Sequence, residues 1–177
     1  MSLRTEQLKH GETVRTTRRF PFVLMCDAVT SPANAGGLIR LADAFGLNSI
    51  IFSRCQLNLN SNRLKRNSRT AENHIKIDIV DESETIITDL KAKGYLLIGL
   101  ELTHGSMPID KFHLNFADKI ALVVGGERHG IQEQTLQEVD QVIHIPMQGN
   151  NSSMNVTHAA AIAIYELNKQ QADEAGI

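Results

Sequence analysis

Residues Ile143–Leu167 read IHIPMQGNNSSMNVTHAAAIAIYEL. Ile143-His144-Ile145 is β-rich and runs into Pro146, which has no N–H to give a sheet ladder and so ends the strand. Gln148 to Ser153 is polar and turn-prone, with Gly149, Asn150 and Asn151. From Asn155 the pattern becomes helical, and Val156, Ala159, Ala160, Ile162, Ala163, Ile164 and Leu167 are too densely apolar for a solvent-exposed helix. Ser153 or Asn155 is placed to cap it, offering an oxygen to the free amides of the first turn. The reading is a strand, a polar loop and a largely buried helix.

Working outward, the same alternation recurs. Phe22–Cys26 is a continuous apolar run of strand length, as expected for a strand covered on both faces. After Asp27 and the loop formers Thr30-Ser31-Pro32-Ala33-Asn34, a helix is expected from about Asn34 to Phe45, closed by Gly46. Ser49–Ser53 is the next strand, completing a β–α–β unit. Asn60-Ser61-Asn62 can cap a short helix carrying Arg63, Lys65, Arg66 and Arg69. Strands follow at Ile75–Val80, Tyr95–Leu100 and Ile120–Val124, with helices over Glu82–Lys93 and Gln132–Glu138. Strands alternating with helices predict an α/β fold on a mostly parallel sheet with helices on both faces.

The 177 residues are enough for one domain with a sizeable core. No apolar run approaches the ~20 residues of a membrane helix, and the opening residues lack a signal-peptide core; a cytoplasmic protein without membrane contact is expected. Cys26 and Cys55 make neither a disulfide framework nor a metal site and read as buried free thiols. The net charge of −2 conceals a polarity: residues 1–71 hold eleven Lys/Arg against four Asp/Glu, and residues 72–177 hold seven against sixteen. The basic first part, with Arg15, Arg18 and Arg19 as well as the 63–69 cluster, suits a polyanion if one face gathers it.

Three loops each follow a strand, where open α/β sheets bind ligands. They are 30–40, 125–130 and 146–155. The second, Gly125-Gly126-Glu127-Arg128-His129-Gly130, allows close backbone approach but is neither a P-loop nor a G-x-G-x-x-G dinucleotide fingerprint. Taken in order, Asn34-Ala35-Gly36-Gly37-Leu38-Ile39-Arg40, then the glycine loop through Ile131, then Ile145-Pro146-Met147 with Ser153-Met154-Asn155-Val156-Thr157, closely resemble the motifs of the SPOUT superfamily. The match is to its SpoU (TrmH-like) branch of RNA ribose 2′-O-methyltransferases and spans about Phe22 to Leu167. Met154 stands where leucine is common and Thr157 where serine is; neither change removes a functional group.

The resemblance implies a C-terminal trefoil knot, S-adenosyl-L-methionine as cofactor, and a homodimer with active sites at the subunit interface. It divides the chain into a basic extension at 1–20, a methyltransferase domain at 21–168 and a tail at 169–177. RNA is the implied partner, tRNA ahead of ribosomal RNA because single-domain relatives act there. A ribosomal RNA enzyme and a non-catalytic RNA-binding knot protein are the alternatives. Cofactor contacts are expected around Glu101, Gly125, Ile145 and Met147, with Ser153 and Met154 closing the pocket. The catalytic set is Arg40, Asn34, Glu127, Ser153 and Asn155. The family proposal makes Arg40 the base; a guanidinium gives up its proton so reluctantly that holding a phosphate and stabilising a developing alkoxide suits it better. An i+3 ion pair with Asp43 is the structural alternative. Asn34 can orient Arg40 or cap its helix, Glu127 anchors loops or Arg40, and Asn155 can be a helix cap. Arg15, Arg18, Arg19, Arg63, Lys65, Arg66 and Arg69 are expected to contact RNA phosphates. The implied reaction requires no metal, and His129, His144 and His158 share no ligand spacing.

Overall fold

Phe22–Asp27 forms strand β1, and all six residues are buried. Successive side chains point to opposite faces: Phe22, Leu24 and Cys26 join one apolar cluster, Val23 and Met25 another. A strand covered on both sides needs a continuous apolar run, which is what the sequence supplies. The computed structural model describes residues 21–115 and 119–174. After β1 come α1 (Pro32–Ala44), β2 (Ser49–Ser53), α2 (Asn62–Ser68), β3 (Lys76–Val80), α3 (Ser83–Ala92) and β4 (Tyr95–Leu100). Then follow β5 (Met107–Pro108), β6 (Lys119–Gly125), α4 (Glu133–Glu138), β7 (Gln141–His144) and α5 (Val156–Glu174).

Among the described residues the seven strands make one sheet in the order β3-β2-β1-β6-β4-β7-β5. All neighbouring pairs are parallel. Leu38, Ile39 and Ala42 of α1 and Ala160, Ala163, Ile164 and Leu167 of α5 pack on one face. Ile87 and Leu90 of α3, with Leu136 of α4, cover the other. This order sets β6 between β1 and β4, so the carboxyl ends of β6, β4 and β7 lie near one another.

Several bounds differ from the sequence expectation, each for a physical reason. Helix α1 begins at Pro32, not near Asn34. Ser31 is its N-cap, its Oγ accepting from the Asn34 N–H at 3.4 Å. Proline suits the first turn because it lacks an N–H that would otherwise go unpaired. Asn34 therefore does not cap its helix and its side chain is available elsewhere. At the far end Gly46 has φ +66°, with Leu47 N–H donating to Ala42 O and Gly46 N–H to Asp43 O, the Schellman arrangement that favours glycine. The loop after β4 contains the short β5, whose Pro108 is tolerated because it lies on the sheet edge. Strand β7 spans Gln141–His144, starting one residue before the expected Val142 and leaving Ile145 beyond the ladder.

Helix α5 is longer and less buried than expected. It runs to Glu174, so most of the expected 169–177 tail is helix. The apolar pattern fades after Leu167, but tertiary contacts hold the extension. Gln170 Oε1 accepts from Leu114 N–H at 3.0 Å, and its Nε2 donates to Phe112 O at 2.9 Å. Fully burying Ile164 or Leu167 stabilises by roughly 1.5–3 kcal/mol, against about 0.5–1.5 for each such hydrogen bond, so the apolar face docks the helix and Gln170 sets where it continues. Because α5 lies on one face of the sheet, His158, Ile162 and Tyr165 form an exposed stripe on it. Cys26 is buried and Cys55 half-buried, both as free thiols.

Candidate active site

The carboxyl ends of β4, β6 and β7 open onto a cavity of about 460 Å³. Its wall is residues 100–102 after β4, 124–128 and Gly130 after β6, His144, Ile145 and Met147 at and after β7, and residues 152–156 with Ala159 at the start of α5. Its size lies in the range typical of small-molecule sites. Glu101, Gly125, Ile145, Met147, Ser153 and Met154 all lie on this wall, as do Glu127 and Asn155. Arg40 and Asn34 do not.

The glycine loop is folded tightly on itself. Gly130 has φ +65°, and its N–H donates to Gly126 O at 2.9 Å. A Cβ on Gly125 would sit 1.9 Å from the Gly130 carbonyl carbon, so no side chain fits without moving backbone. The three motifs meet through side chains. Thr157 N–H donates to Asn155 Oδ1 at 2.9 Å, making Asn155 the cap of α5. Asn155 Nδ2 donates to Asn34 Oδ1 at 3.0 Å, and Asn34 Nδ2 donates to Glu127 Oε1 at 2.5 Å. Each amide is thereby given one orientation, with Glu127 as the terminal acceptor. Asn155 is cap and network member at once, and Glu127 anchors loops through Asn34.

Glu101 holds backbone: its Oε1 accepts from Leu102 N–H at 3.0 Å and its Oε2 from Ile131 N–H at 3.1 Å. Ser153 lies exposed at the rim. Arg40 is exposed on α1, and among the described residues it has no carboxylate within 4.0 Å, Asp43 included. Six residues of helix separate it from Asn34, roughly 9 Å along the axis. Helix α2 packs hard on α1, where a Cβ on Gly36 would meet Leu64 O at 2.5 Å. Its Arg63, Lys65 and Arg66, with Arg69 just beyond, are exposed. Arg15, Arg18 and Arg19 lie outside the described residues, as does the whole 1–20 extension.

Some wall residues escaped sequence reasoning. Gly126, Arg128 and His144 belong to it. The first two sit inside a motif already singled out, so their place was the available signal. Ser106 Oγ contacts His144 Nδ1 at 2.9 Å and also lies 2.8 Å from Thr103 O, tying the ring to the turn after β4. No sequence spacing links those two residues. The cysteines stand off the wall. Burial, then the Asp27 charge, pushes the Cys55 thiol up to about 11. Burial foremost, with Cys55 and Asp27 adding to it, pushes Cys26 well above the usual thiol range. Both therefore remain protonated near neutral pH.

The model of the SpoU rRNA Methylase family matches residues 21–165. The chain belongs to that family. SpoU relatives include the Bacillus subtilis 23S rRNA (guanosine(2553)-2'-O)-methyltransferase RlmP, 31% identical over 156 residues that cover 88% of this chain and 60% of that protein. The mouse tRNA (guanosine(18)-2'-O)-methyltransferase TARBP1 is 30% identical over 84% of this chain, which is 9% of its own length. Among solved SpoU structures, AviRb from Streptomyces viridochromogenes in complex with the cofactor AdoMet superposes with a TM-score of 0.79 at 26% identity, covering 89% of this chain and 63% of that one. This chain thus spans about 60% of the bacterial relative's length and far less of the mouse one. None of its described helices is long and apolar enough to cross a membrane.

Proposed function

We propose that the chain is an S-adenosylmethionine-dependent RNA methyltransferase that acts on a ribose 2′-hydroxyl. The observation that carries this reading is the hydrogen-bonded run from Asn155 through Asn34 to Glu127 at the edge of the 460 Å³ cavity, which unites all three SpoU motifs. The cavity fits the cofactor in size and in wall: backbone at 125–130 and 145–154 with apolar Leu100, Val124 and Met154. Bound S-adenosylmethionine supplies an electrophilic methyl group, which a 2′-oxygen takes as its bond to sulfur breaks. The chain's own work would be to hold both partners in line and to favour the oxygen as its proton passes to solvent water. Backbone amides and carbonyls of the two loops hold the cofactor, with Ser153 and Met154 over it. The Arg40 guanidinium grips the neighbouring phosphate and stabilises developing negative charge.

A homodimer belongs to this reading. Arg40 lies off its own cavity wall, and Ile162 and Tyr165 leave α5 with exposed apolar surface, 43% and 61% accessible. A facing subunit supplies a use for both. The trefoil threading of the C-terminus is part of the same reading and rests on the resemblance of the three motifs to the SpoU branch. The basic residues of α2 and of the 1–20 extension serve as the RNA surface. The names of RlmP and of TARBP1 both specify guanosine, one in 23S rRNA and one in tRNA. A guanosine ribose is therefore the proposed target, with tRNA and rRNA as its two possible carriers.

Calorimetry with S-adenosylmethionine, followed by mapping of ribose methylation in total RNA with and without the gene, tests the reading. The expected result is metal-independent binding and one alkali-resistant linkage, because a methylated 2′-oxygen cannot attack the adjoining phosphate. Absence of binding at millimolar cofactor, or methylated nucleotides still released singly by alkali, would overturn it.

A further inference from the structure

Strand β6 is flanked by β1 and β4, and the last residue of β1 and the first residue after β4 are both carboxylates: Asp27 and Glu101. As the glycine loop returns toward α4, two successive backbone amides turn to opposite sides. Ile131 N–H donates to Glu101 Oε2 at 3.1 Å, and Gln132 N–H donates to Asp27 Oδ2 at 3.0 Å. Asp27 is wholly buried and is not on the cavity wall. Its other oxygen accepts from the Ser83 hydroxyl at 3.0 Å and the Ser53 hydroxyl at 3.3 Å, with Arg54 Nε 4.0 Å away. The glycine loop packs closely on both flanks: a Cβ on Gly130 would lie 2.2 Å from Glu101 Oε2, and one on Gly126 would lie 2.2 Å from the Ala28 main-chain oxygen.

We propose that Asp27 and Glu101 form a two-sided clamp, positioning residues that fix the backbone of the glycine loop so that its inner face is presented to the ligand in the cavity. The clamp rests on the methyltransferase reading for its ligand, S-adenosylmethionine, but not for its geometry. It adds a part for the Glu101 side chain, both of whose oxygens hold main-chain amides, to the backbone cofactor contact expected around that residue. It gives Asp27 a part in binding, although Asp27 itself touches nothing in the cavity. A carboxylate accepting an amide hydrogen bond is stronger than a neutral acceptor, and it cannot turn a donor toward the amide as a carboxamide can.

The test uses the full chain with Glu101→Gln, Asp27→Asn and the double variant. Amide exchange at Ile131 and Gln132 is followed without ligand, and S-adenosylmethionine affinity is measured well below the melting temperature. Loss of one charge-assisted bond is expected to speed exchange at the matching amide about tenfold and to raise the cofactor Kd about tenfold. The double variant is expected to fall short of the product of the two single effects, since both act through one loop. If Asp27→Asn does not fold, Ser83→Ala, which removes a donor from Asp27 while leaving the Gln132 bond, is expected to produce a smaller rise in exchange at Gln132. Unchanged exchange at both amides overturns the clamp. So does a lowered melting temperature with wild-type cofactor affinity, which would mean that the carboxylates only stabilise the fold. Wild-type protein that binds no cofactor would sink the methyltransferase reading and the ligand role together, and exchange at the two amides would still decide whether the clamp exists.

Discussion

The cavity wall and the face of α2 handle charge in opposite ways. On the wall, Glu127 accepts from Asn34, and Glu101 accepts from two main-chain amides. On α2 and just past it, Arg63, Lys65, Arg66 and Arg69 are exposed, and none has a carboxylate within 4.0 Å among the described residues. Arg54 shows what a tethered cation looks like here: it pairs with Glu84 and lies beside buried Asp27. Where its carboxylates are held in place, as at Glu101 and Glu127, the wall suits one small ligand of defined shape, since less ordering remains to be done there on binding. Long cationic side chains without partners suit a polyanion whose phosphates can be met in many geometries, with counterion release as the driving force. Arg40 stands between the two regions, without a carboxylate within 4.0 Å among the described residues, like the α2 cations, but on the helix that carries Asn34.

Four experiments would break or sharpen that contrast. The largest effect is expected at Arg40. Arg40→Ala should lower methyl transfer by about 10²-fold or more while leaving cofactor Kd nearly unchanged, measured by single-turnover transfer and calorimetry. Arg40→Lys keeps the charge but loses the planar fork, so it should restore little. Substantial activity in the lysine variant, rising with pH, would instead assign Arg40 the part of base.

Next comes the wall itself. Gly125→Ala places a methyl group into the Gly130 main chain and should destabilise the fold by about 1–3 kcal/mol. Its cofactor affinity should drop at least tenfold while RNA binding at low salt persists; cofactor binding at wild-type strength would show that the loop can give way. The third experiment reverses Arg63 and Arg66 to glutamate. RNA affinity should weaken at all sequences, and the salt slope should shrink by about 0.7–0.9 per lost contact, with cofactor affinity untouched. RNA binding indifferent to salt would contradict the polyanion reading of α2.

The smallest effect concerns Cys55, which serves as a reference away from both regions. Because the thiolate is the nucleophile, a thiol pushed up to about 11 should alkylate slowly at pH 7 and faster as the pH rises toward that value. Cys26, fully buried, should react only on unfolding. Rapid modification of Cys55 at neutral pH would show that its surroundings are more open than its half-buried position implies.

How far the sequence could be read depended on the range of the forces involved. The apolar run Phe22–Cys26, the alternation of strands and helices, Gly46 as a helix stop and a cap for α2 within Asn60-Ser61-Asn62, where Ser61 takes the part, are legible because they act over a few neighbouring residues. The start of α1 was misplaced, although Ser31 and Pro32 carried the signal, because Asn34 is an equally good capping residue by type. Its actual partners are Glu127, 93 residues away, and Asn155, 121 residues away, and no local rule selects them. The extension of α5 to Glu174 was missed for the same reason: Gln170 reads as an ordinary polar residue until residues 112–114 are beside it.

Alternating strands and helices, and glycines suited to close approach, could be read along the chain because period, capping and glycine's freedom are properties of short segments; the three motifs stood out through their resemblance to the SpoU branch. Only the tertiary structure decided that Asp27, the lone charge ending an apolar strand, reaches Gln132 across 105 residues, and that Arg40 stands off the wall while Asn34 bridges two motifs. Those facts follow from the strand order that places β6 between β1 and β4. Strand order is set by which buried faces pack best together, an energy shared across the whole core and written in no single stretch of the chain.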